Sequence, residues 1–354
     1  MKVAIVGIQG VPANYGGFES LVENIIGENC SPGIQYTIFC SSKDMSEKLK
    51  RYKGCQLKYV GLHANGISSI PYDIISMMRV IYGYDTILVL GTSGCIFLPA
   101  LRLLSKSKLV VNIDGLEHRR EKWGKLARKF LRLSESCAVR NANVIVADNK
   151  GIQDYVTDTY HKPSKLIAYG GDHVLRNVAD DKQQSILEQY GLASKKYAIT
   201  VCRIEPENNC HVTLEAFAQT GKTLVFIGNW QHSDYAINLH KAYSEHQNIK
   251  LLDAIYDLDT LFTLRSHASY YIHGHSAGGT NPSLVEAMFF GHPIIAYDVI
   301  YNRETTHNQA FYFRDVKELI QLLSKNDLDG STMLQIAEEN YMWHHIAKQY
   351  EELY

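Results

Sequence analysis

The chain has 354 residues, with 36 Lys plus Arg against 37 Asp plus Glu and a formal net charge of −1. That length suits about two domains, and the charge balance excludes a protein that coats nucleic acid through its overall field. At 45% hydrophobic and 21% charged residues the chain is folded rather than disordered.

The opening MKVAIVGIQG has an apolar stretch broken at Gly7. It is too short for a secretory core and lacks a small-residue cleavage pattern, so a first strand is predicted. Further apolar runs fall at 35–40, 56–60, 85–90, 108–113, 143–147 and 165–168. The uncharged run Thr86–Leu101 is interrupted by Gly91, Ser93, Gly94 and Pro99. It predicts a strand, a loop and a helix start, not a membrane span. A second series lies at 197–202, 223–228, 249–253, 269–273, 293–297 and 309–313. Continuous apolar strands separated by helix-length segments predict an α/β protein of two doubly wound, Rossmann-like domains. The hinge is expected at Gly170–Val174, dividing the chain into domains 1–172 and 173–335. A helix at about 336–354, carrying Tyr341, Trp343, Tyr350 and Tyr354, is expected to pack back on the first domain. Ligands of such sheets bind outside the carboxyl ends of the strands, here in a cleft faced by both domains.

Several patterns imitate other chemistries. The seven cysteines include no Cys-x-x-Cys pair, so neither zinc nor a disulfide framework is expected and a reducing cytosol fits. Gly221-Lys222-Thr223 resembles the end of a P-loop, but Ala216 stands where its first glycine belongs and a strand follows instead of preceding it. Asp257-Leu258-Asp259 and Asp327-Leu328-Asp329 sit where helices should begin, as capping carboxylates do. No metal is therefore assigned. Gly7-Ile8-Gln9-Gly10 lacks dinucleotide spacing, and Cys40-Ser41-Ser42 ends the second strand without a ribose-binding acid.

Gly16-Gly17 opens a helix with Phe18, Leu21, Val22 and Ile25 on its apolar face. Free N–H groups and the helix dipole there favour a diphosphate; the plain alternative is a packing turn. In VCRIEPENN, Arg203 leaves a strand end, where it binds phosphate oxygens or pairs with Glu205 or Glu207. In HGHSAGGTNPSLVEAMFFGHPIIAYD, the glycines and Asn281-Pro282 make a loop and helix start. Glu286 on that helix can accept two ribose hydroxyls while the preceding amides hold a diphosphate.

Together Gly16-Gly17, Arg203, Gly228-Asn229 at a strand end, and PSLVEAM followed by GHPIIA resemble the retaining glycosyltransferases of family 4, which have the GT-B fold. GIQGVPANYGGFES and DGLEHRREKWGK resemble the rhamnosyltransferase-like branch of bacterial capsule and cell-wall polysaccharide synthesis. The resemblance implies transfer of a hexosyl group, rhamnosyl from dTDP-rhamnose first, from a nucleotide sugar to a lipid-diphosphate-linked sugar. It implies donor contacts from Gly16, Gly17, Arg203, Asn208, Gly228, Asn229, His275, Gly279, Thr280, Asn281 and Glu286, with Arg203 catalytic. Two positions depart from the family pattern. Gly278 replaces its first glutamate, and Asn208 replaces the basic residue five positions after Arg203. Charge growing on the β-phosphate is met by fixed donors, so no cofactor or metal is required. Asp114 either orients the acceptor or caps a turn before Gly115, and Glu117 and His118 share that choice.

Residues 118–132, HRREKWGKLARKFLR, form a basic segment. Trp123, Leu126, Ala127, Phe130 and Leu131 follow helical spacing. With Glu117, His118, Arg119, Arg120, Lys122 and Lys125 they suit an anionic membrane or the lipid diphosphate of an acceptor; the alternative is a core stripe with a solvated face. The expected setting is peripheral, at the cytoplasmic face of the cell membrane. Rival functions are a nucleotide-sugar epimerase of the same shape and a noncatalytic nucleotide-sugar-binding subunit.

Overall fold

The computed structural model describes residues 1–13, 16–113, 115–119, 124–325 and 327–354. It divides into two units, residues 1–169 with 343–354, and residues 170–342. These boundaries stand in place of 172/173 and 335/336.

Among the described residues, the first unit is built on β1 (Lys2–Val6), β2 (Gln35–Ser41), β3 (Arg51–Tyr52), β4 (Cys55–Val60), β5 (Thr86–Leu90), β6 (Lys108–Asn112), β7 (Val144–Ala147) and β8 (Lys165–Leu166). Its helices are α1 (Gly17–Glu28), α2 (Ser69–Met78), α3 (Leu98–Leu104), α4 (Lys125–Asn141) and α5 (Lys150–Tyr160). The strand order is β3-β4-β2-β1-β5-β6-β7-β8, parallel except for the β3–β4 pair. Val3, Ile5, Val6, Ile87 and Leu88 are fully buried because helices cover both faces of a parallel sheet. Each such side chain contributes about 1.5–3 kcal/mol of burial. Strand β3 escapes the apolar-run criterion. It is two residues long, and the turn at Lys53 (φ 44°) and Gly54 (φ 79°) makes the hairpin, as a turn with both central residues at positive φ does.

The second unit holds α6 (Asp180–Gln189), β9 (Ala198–Val201), α7 (Cys210–Thr220), β10 (Leu224–Ile227), α8 (Asp234–Tyr243), β11 (Ile249–Leu252), α9 (Leu258–Ser266) and β12 (Tyr270–His273). It continues with α10 (Pro282–Met288), β13 (Ile294–Tyr297), α11 (Ile300–Thr305), β14 (Phe311–Phe313), α12 (Val316–Leu323) and α13 (Ser331–Asn340). Its parallel sheet runs β11-β10-β9-β12-β13-β14. The chain then returns to the first unit as α14 (Trp343–Glu351). The tail is thus two helices, not one. In α14, Trp343, Ile346, Ala347 and Tyr350 join the same core as Leu21, Val22 and Ile25 of α1, and the Asn112 amide donates to the Tyr350 hydroxyl at 2.7 Å.

The imitating motifs take structural roles. Asp257 caps α9, accepting the Thr260 N–H at 2.8 Å, and Asp259 is ion-paired with Arg176 and Lys182, both at 2.7 Å. Asp329 accepts the Ser331 N–H at 2.9 Å. Gly221, at φ 66°, ends α7 ahead of β10. All seven cysteines are free. Among the described residues no helix is long and apolar enough to cross a membrane.

Candidate functional site

The order β10-β9-β12 places β9 and β12 side by side with chain connections leaving in opposite senses, the switch point at which open α/β sheets bind ligands. Two loops leave the carboxyl ends here, 202–209 after β9 and 274–281 after β12. The absence of a side chain at Gly274 lets them touch. A Cβ there would stand 2.1 Å from the Asn208 carbonyl oxygen. Asn208, buried, donates its amide to the Arg203 carbonyl at 2.7 Å and offers Oδ1 to His275 Nδ1 at 2.6 Å. The amide of Asn209 donates to the Gly274 carbonyl, and Ser276 donates its N–H and its hydroxyl to the Glu207 carbonyl, each at 2.8 Å. Because Asn208 Oδ1 only accepts, His275 carries its proton on Nδ1. Asn208 therefore ties the two loops together, a use not foreseen from its place in the basic position of the pattern.

Arg203 extends from the first of these loops, 46% exposed, with Nη1 3.8 Å from Glu205 Oε1. At that distance and exposure the pair costs little to open. Gly228 and Asn229 follow β10. A Cβ on Gly228 would lie 2.5 Å from the Ile204 side chain, so this glycine packs the neighbouring loop, while Asn229 makes a local turn by accepting the Gln231 N–H. Beyond Gly279 and the buried Thr280, Asn281 caps α10 by accepting the Ser283 N–H at 3.0 Å.

Glu286, on α10, has a partner that the sequence did not signal. Its Oε2 receives Arg265 Nη2 from α9 at 2.7 Å, and its Oε1 lies 3.4 Å from His173 Nε2. Arg265 is 4% exposed and Glu286 17%. Burial alone would raise the carboxyl, but the guanidinium and His173 hold it down at about 2. Burial depresses His273, whose ring lies 6.1 Å from that of His275, well below the ordinary imidazole range and leaves it neutral.

Residues 1–172 match the family described as a domain of unknown function (DUF1972), and residues 182–328 match Glycosyl transferases group 1. The chain is similar to sucrose-phosphate synthase from Thermosynechococcus elongatus, at 17% identity and TM-score 0.81, covering 100% of this chain and 98% of that one. It is similar to HepE of Anabaena in complex with UDP (16%, TM-score 0.78, 99% of each chain). The catalytic domain of starch synthase IV from Arabidopsis thaliana bound to ADP and acarbose also matches (13%, TM-score 0.71, 99% and 98%). The chain carries a glycosyltransferase domain on a GT-B fold. No curated protein matches it.

In this GT-B chain the group 1 match spans Arg203, Asn208, Gly228, Asn229, His275 and the 279–286 segment. The remaining predicted residues lie in the DUF1972 segment. Gly16 (φ 88°) precedes α1 and Gly17 begins it. Glu19, buried in the first turn of α1, turns its carboxylate back onto this loop. Its Oε1 accepts the Gln9 N–H at 2.7 Å, and a Cβ on Gly16 would stand 2.5 Å from its Oε2. Glu23 accepts the Ala13 N–H at 2.6 Å. The Glu19 carboxylate thus stands beside Gly16, where the sequence pattern leads to the expectation of a diphosphate.

Asp114, Arg120, Lys122 and Trp123 lie outside the described residues. Glu117, His118 and Arg119 form a 3-10 turn after β6. His118 Nδ1 lies 2.9 Å from Glu135 Oε2, and Glu135 Oε1 accepts the hydroxyls of Tyr155 and Tyr160, both at 2.7 Å. Burial pushes the Glu135 carboxyl up, but these bonds outweigh it and keep it ionised. The Glu135 carboxylate thereby holds a proton on Nδ1 and fixes the orientation of the ring, with Nε2 on its other side. Glu135 lies 17 residues beyond His118 on the buried face of α4, a pairing only the fold makes.

That helix corrects the expected apolar stripe. Leu131 is buried with Ser134, Glu135, Ala138 and Val139, whereas Leu126 is 84% exposed and Leu133 55%. Ala127 and Phe130 are half-buried, and Lys125, Lys129 and Arg132 are exposed.

Proposed function

We propose that the protein is a retaining transferase moving a hexosyl group, rhamnosyl first, from a nucleoside diphosphate sugar to a lipid-diphosphate-linked sugar. The observation that carries this reading is the joined pair of loops at β9 and β12, with Arg203 extended from it and an ionised Glu286 nearby on α10. As the sugar–phosphate bond breaks, negative charge grows on the departing phosphate. Arg203 supplies a cation to those oxygens, and the amides around Thr280 and Asn281 supply further donors. Glu286, already ionised by its pairing with Arg265, accepts ribose hydroxyls across the physiological pH range. HepE, bound to UDP and to UDP-glucose in its solved complexes, supports a donor of this class. No metal is assigned a role, and added chelator should leave turnover intact.

His118, oriented by Glu135, is assigned to the acceptor side, where its Nε2 accepts a hydrogen bond from the attacking hydroxyl. The acceptor's lipid sets the location, at the cytoplasmic face of a membrane. Leu126 and Leu133 lie one heptad apart beside Lys125, Lys129 and Arg132 on α4, an exposed apolar edge flanked by cations. Each such cation near an anionic surface contributes about 1 kcal/mol. Reversal of all three to Glu should abolish binding to anionic liposomes and spare catalysis on a short soluble acceptor.

Calorimetry against a panel of nucleoside diphosphates, followed by transfer assays with a lipid-diphosphate acceptor, tests the reading. Arg203→Ala should weaken diphosphate binding by about 1.5–3 kcal/mol, the scale of a charged hydrogen bond. Absence of any nucleoside diphosphate binding overturns the assignment. Donor conversion without acceptor would identify an epimerase, and donor binding without transfer or hydrolysis a noncatalytic subunit.

A further inference from the structure

We propose that the first unit carries a second ligand site, at the amino ends of its sheet, that takes a ring-bearing phosphate ester of about nucleotide size. The site follows from alternation along β4. Cys55 and Leu57 are buried, which turns Gln56 and Lys58 to the opposite, exposed face. Across the β3–β4 hairpin Arg51 pairs with Gln56, and across β2 Thr37 pairs with Gln56, so these side chains share one face. They line a groove of about 600 Å³ whose other walls include Lys2, Arg79, Tyr82 and Tyr84. That volume is within the range of small-molecule sites. It lies at the strand ends opposite those that carry the Gly16 and His118 loops.

Charge selects the ligand class. Among the described residues no Asp or Glu lines the groove. Of its cations Lys53 is neutralised by Glu23 at 3.1 Å. Among the described residues Lys2, Arg51, Lys58 and Arg79 have no carboxylate partner. Arg79 Nη1 donates to the Tyr59 carbonyl at 2.8 Å. Lys58 Nζ donates to the Tyr84 hydroxyl at 3.0 Å and lies 5.6 Å from the centre of that ring. Asp85, at the same edge, is engaged by the Lys2 backbone N–H at 2.7 Å. Like charges gathered in a concave wall raise the local potential although the whole chain is nearly neutral. An arginine fork beside an ammonium matches phosphate oxygens. Tyr82, 78% exposed, offers a flat amphipathic face to a sugar or base beside those cations.

The test is calorimetry on the full chain with glucose 1-phosphate, inorganic pyrophosphate and glucose, in an Arg203→Ala background that removes the proposed donor contact. Glucose 1-phosphate should bind, more weakly as salt rises, and glucose should not. Arg51→Gln with Lys58→Gln should weaken binding about tenfold or more. Arg51→Gln alone, on an exposed edge strand, should weaken it in the same direction with an unchanged melting temperature. Absence of phosphate ester binding, or binding indifferent to both variants, overturns the site. Pyrophosphate binding as tightly as glucose 1-phosphate overturns the role of the ring. Tighter binding of a single-stranded RNA, lost in the same variants, overturns the small-ligand class. None of these outcomes depends on the transferase reading, whose own test is transfer from a nucleotide sugar.

Discussion

The two units close their switch points in the same way and fill them with opposite electrostatics. In the first, Gly7 after β1 leaves room for the end of β5, and a Cβ there would stand 2.1 Å from the Leu90 carbonyl oxygen. In the second, Gly274 after β12 does the same for Asn208, again at 2.1 Å. Each site has a buried carboxyl nearby. Glu286 faces Arg265 and is held down at about 2. Asp73, on α2, meets the Gly94 N–H of the loop after β5 at 3.2 Å and, among the described residues, no cation; burial pushes it up to about 8. A cation at the right place is the whole difference. With Glu19 and Glu135 also turned onto the loops at the carboxyl ends of its sheet, this end of the first unit suits hydroxyl groups better than phosphate. The second unit exposes Arg203 and neutralises its own acid.

Removing that cation should have the largest effect. With Arg265→Met the buried Glu286 loses its guanidinium partner and keeps His173 at 3.4 Å, and breaking a buried pair in this way typically costs about 3–5 kcal/mol. Denaturant unfolding at pH 7 measures it. The loss should shrink in the Glu286→Gln background, where no charge is stranded. Equal losses in both backgrounds would mean that Arg265 acts through packing alone. The pair also sets an acid limit. Glu286 lies below its unfolded value, so its contribution is complete above about pH 4.5 and is lost as pH falls toward 2.

Next comes the loop contact. Gly274→Ala forces a Cβ onto the Asn208 carbonyl, and overpacking of this kind typically costs about 1–3 kcal/mol. Turnover should fall as well, since Arg203 and His275 stand on the loops that must part. Gly33→Ala, with nothing within 4 Å of its new Cβ, is the control and should change stability by no more than about 0.5 kcal/mol. A silent Gly274→Ala would show that the loops adjust independently, and the comparison with Gly7 would lose its meaning.

Much of this architecture was legible because near-continuous apolar runs have few alternatives to buried parallel strands. VAIV and TILVL are strands wherever helices cover both faces. The glycines at positions 7 and 274 stand at turns where another strand or loop backbone approaches closely, and Gly16 at a positive φ. The electrostatics were not legible. Arg265 belongs to a helix that looks ordinary in sequence, 21 residues before Glu286, and His173 lies in the segment read as a hinge. Glu135 sits among the cations of α4 and gives no hint that it reaches back to His118. Ion pairs between distant elements follow from packing, which no local pattern encodes. Asn208 and Gly278 stood out in the sequence as departures from the family pattern, and Asn208 takes a role different from that of the basic residue it replaces.

The smallest expected effect is the most discriminating, because the two carboxyls should respond to pH in opposite directions. Asp73 titrates near 8 in the folded chain and near 4 when unfolded. Its folded value is raised, so protons bind the native state more tightly. The associated stability is complete below about pH 4 and declines as pH rises through 8. Above about pH 5 Glu286 adds little to that slope, since it is ionised in the folded chain and largely ionised in the unfolded one. Asp73→Asn keeps an oxygen that can accept the Gly94 N–H and has no charge to bury. It should therefore be close to neutral at pH 5 and stabilising at pH 8 by about 1–3 kcal/mol, the scale of relieving a buried polar group. Urea midpoints of both proteins at pH 5, 6.5 and 8 measure the divergence. Parallel curves would mean that Asp73 finds a cation after all, and that the first unit neutralises its acid as the second does.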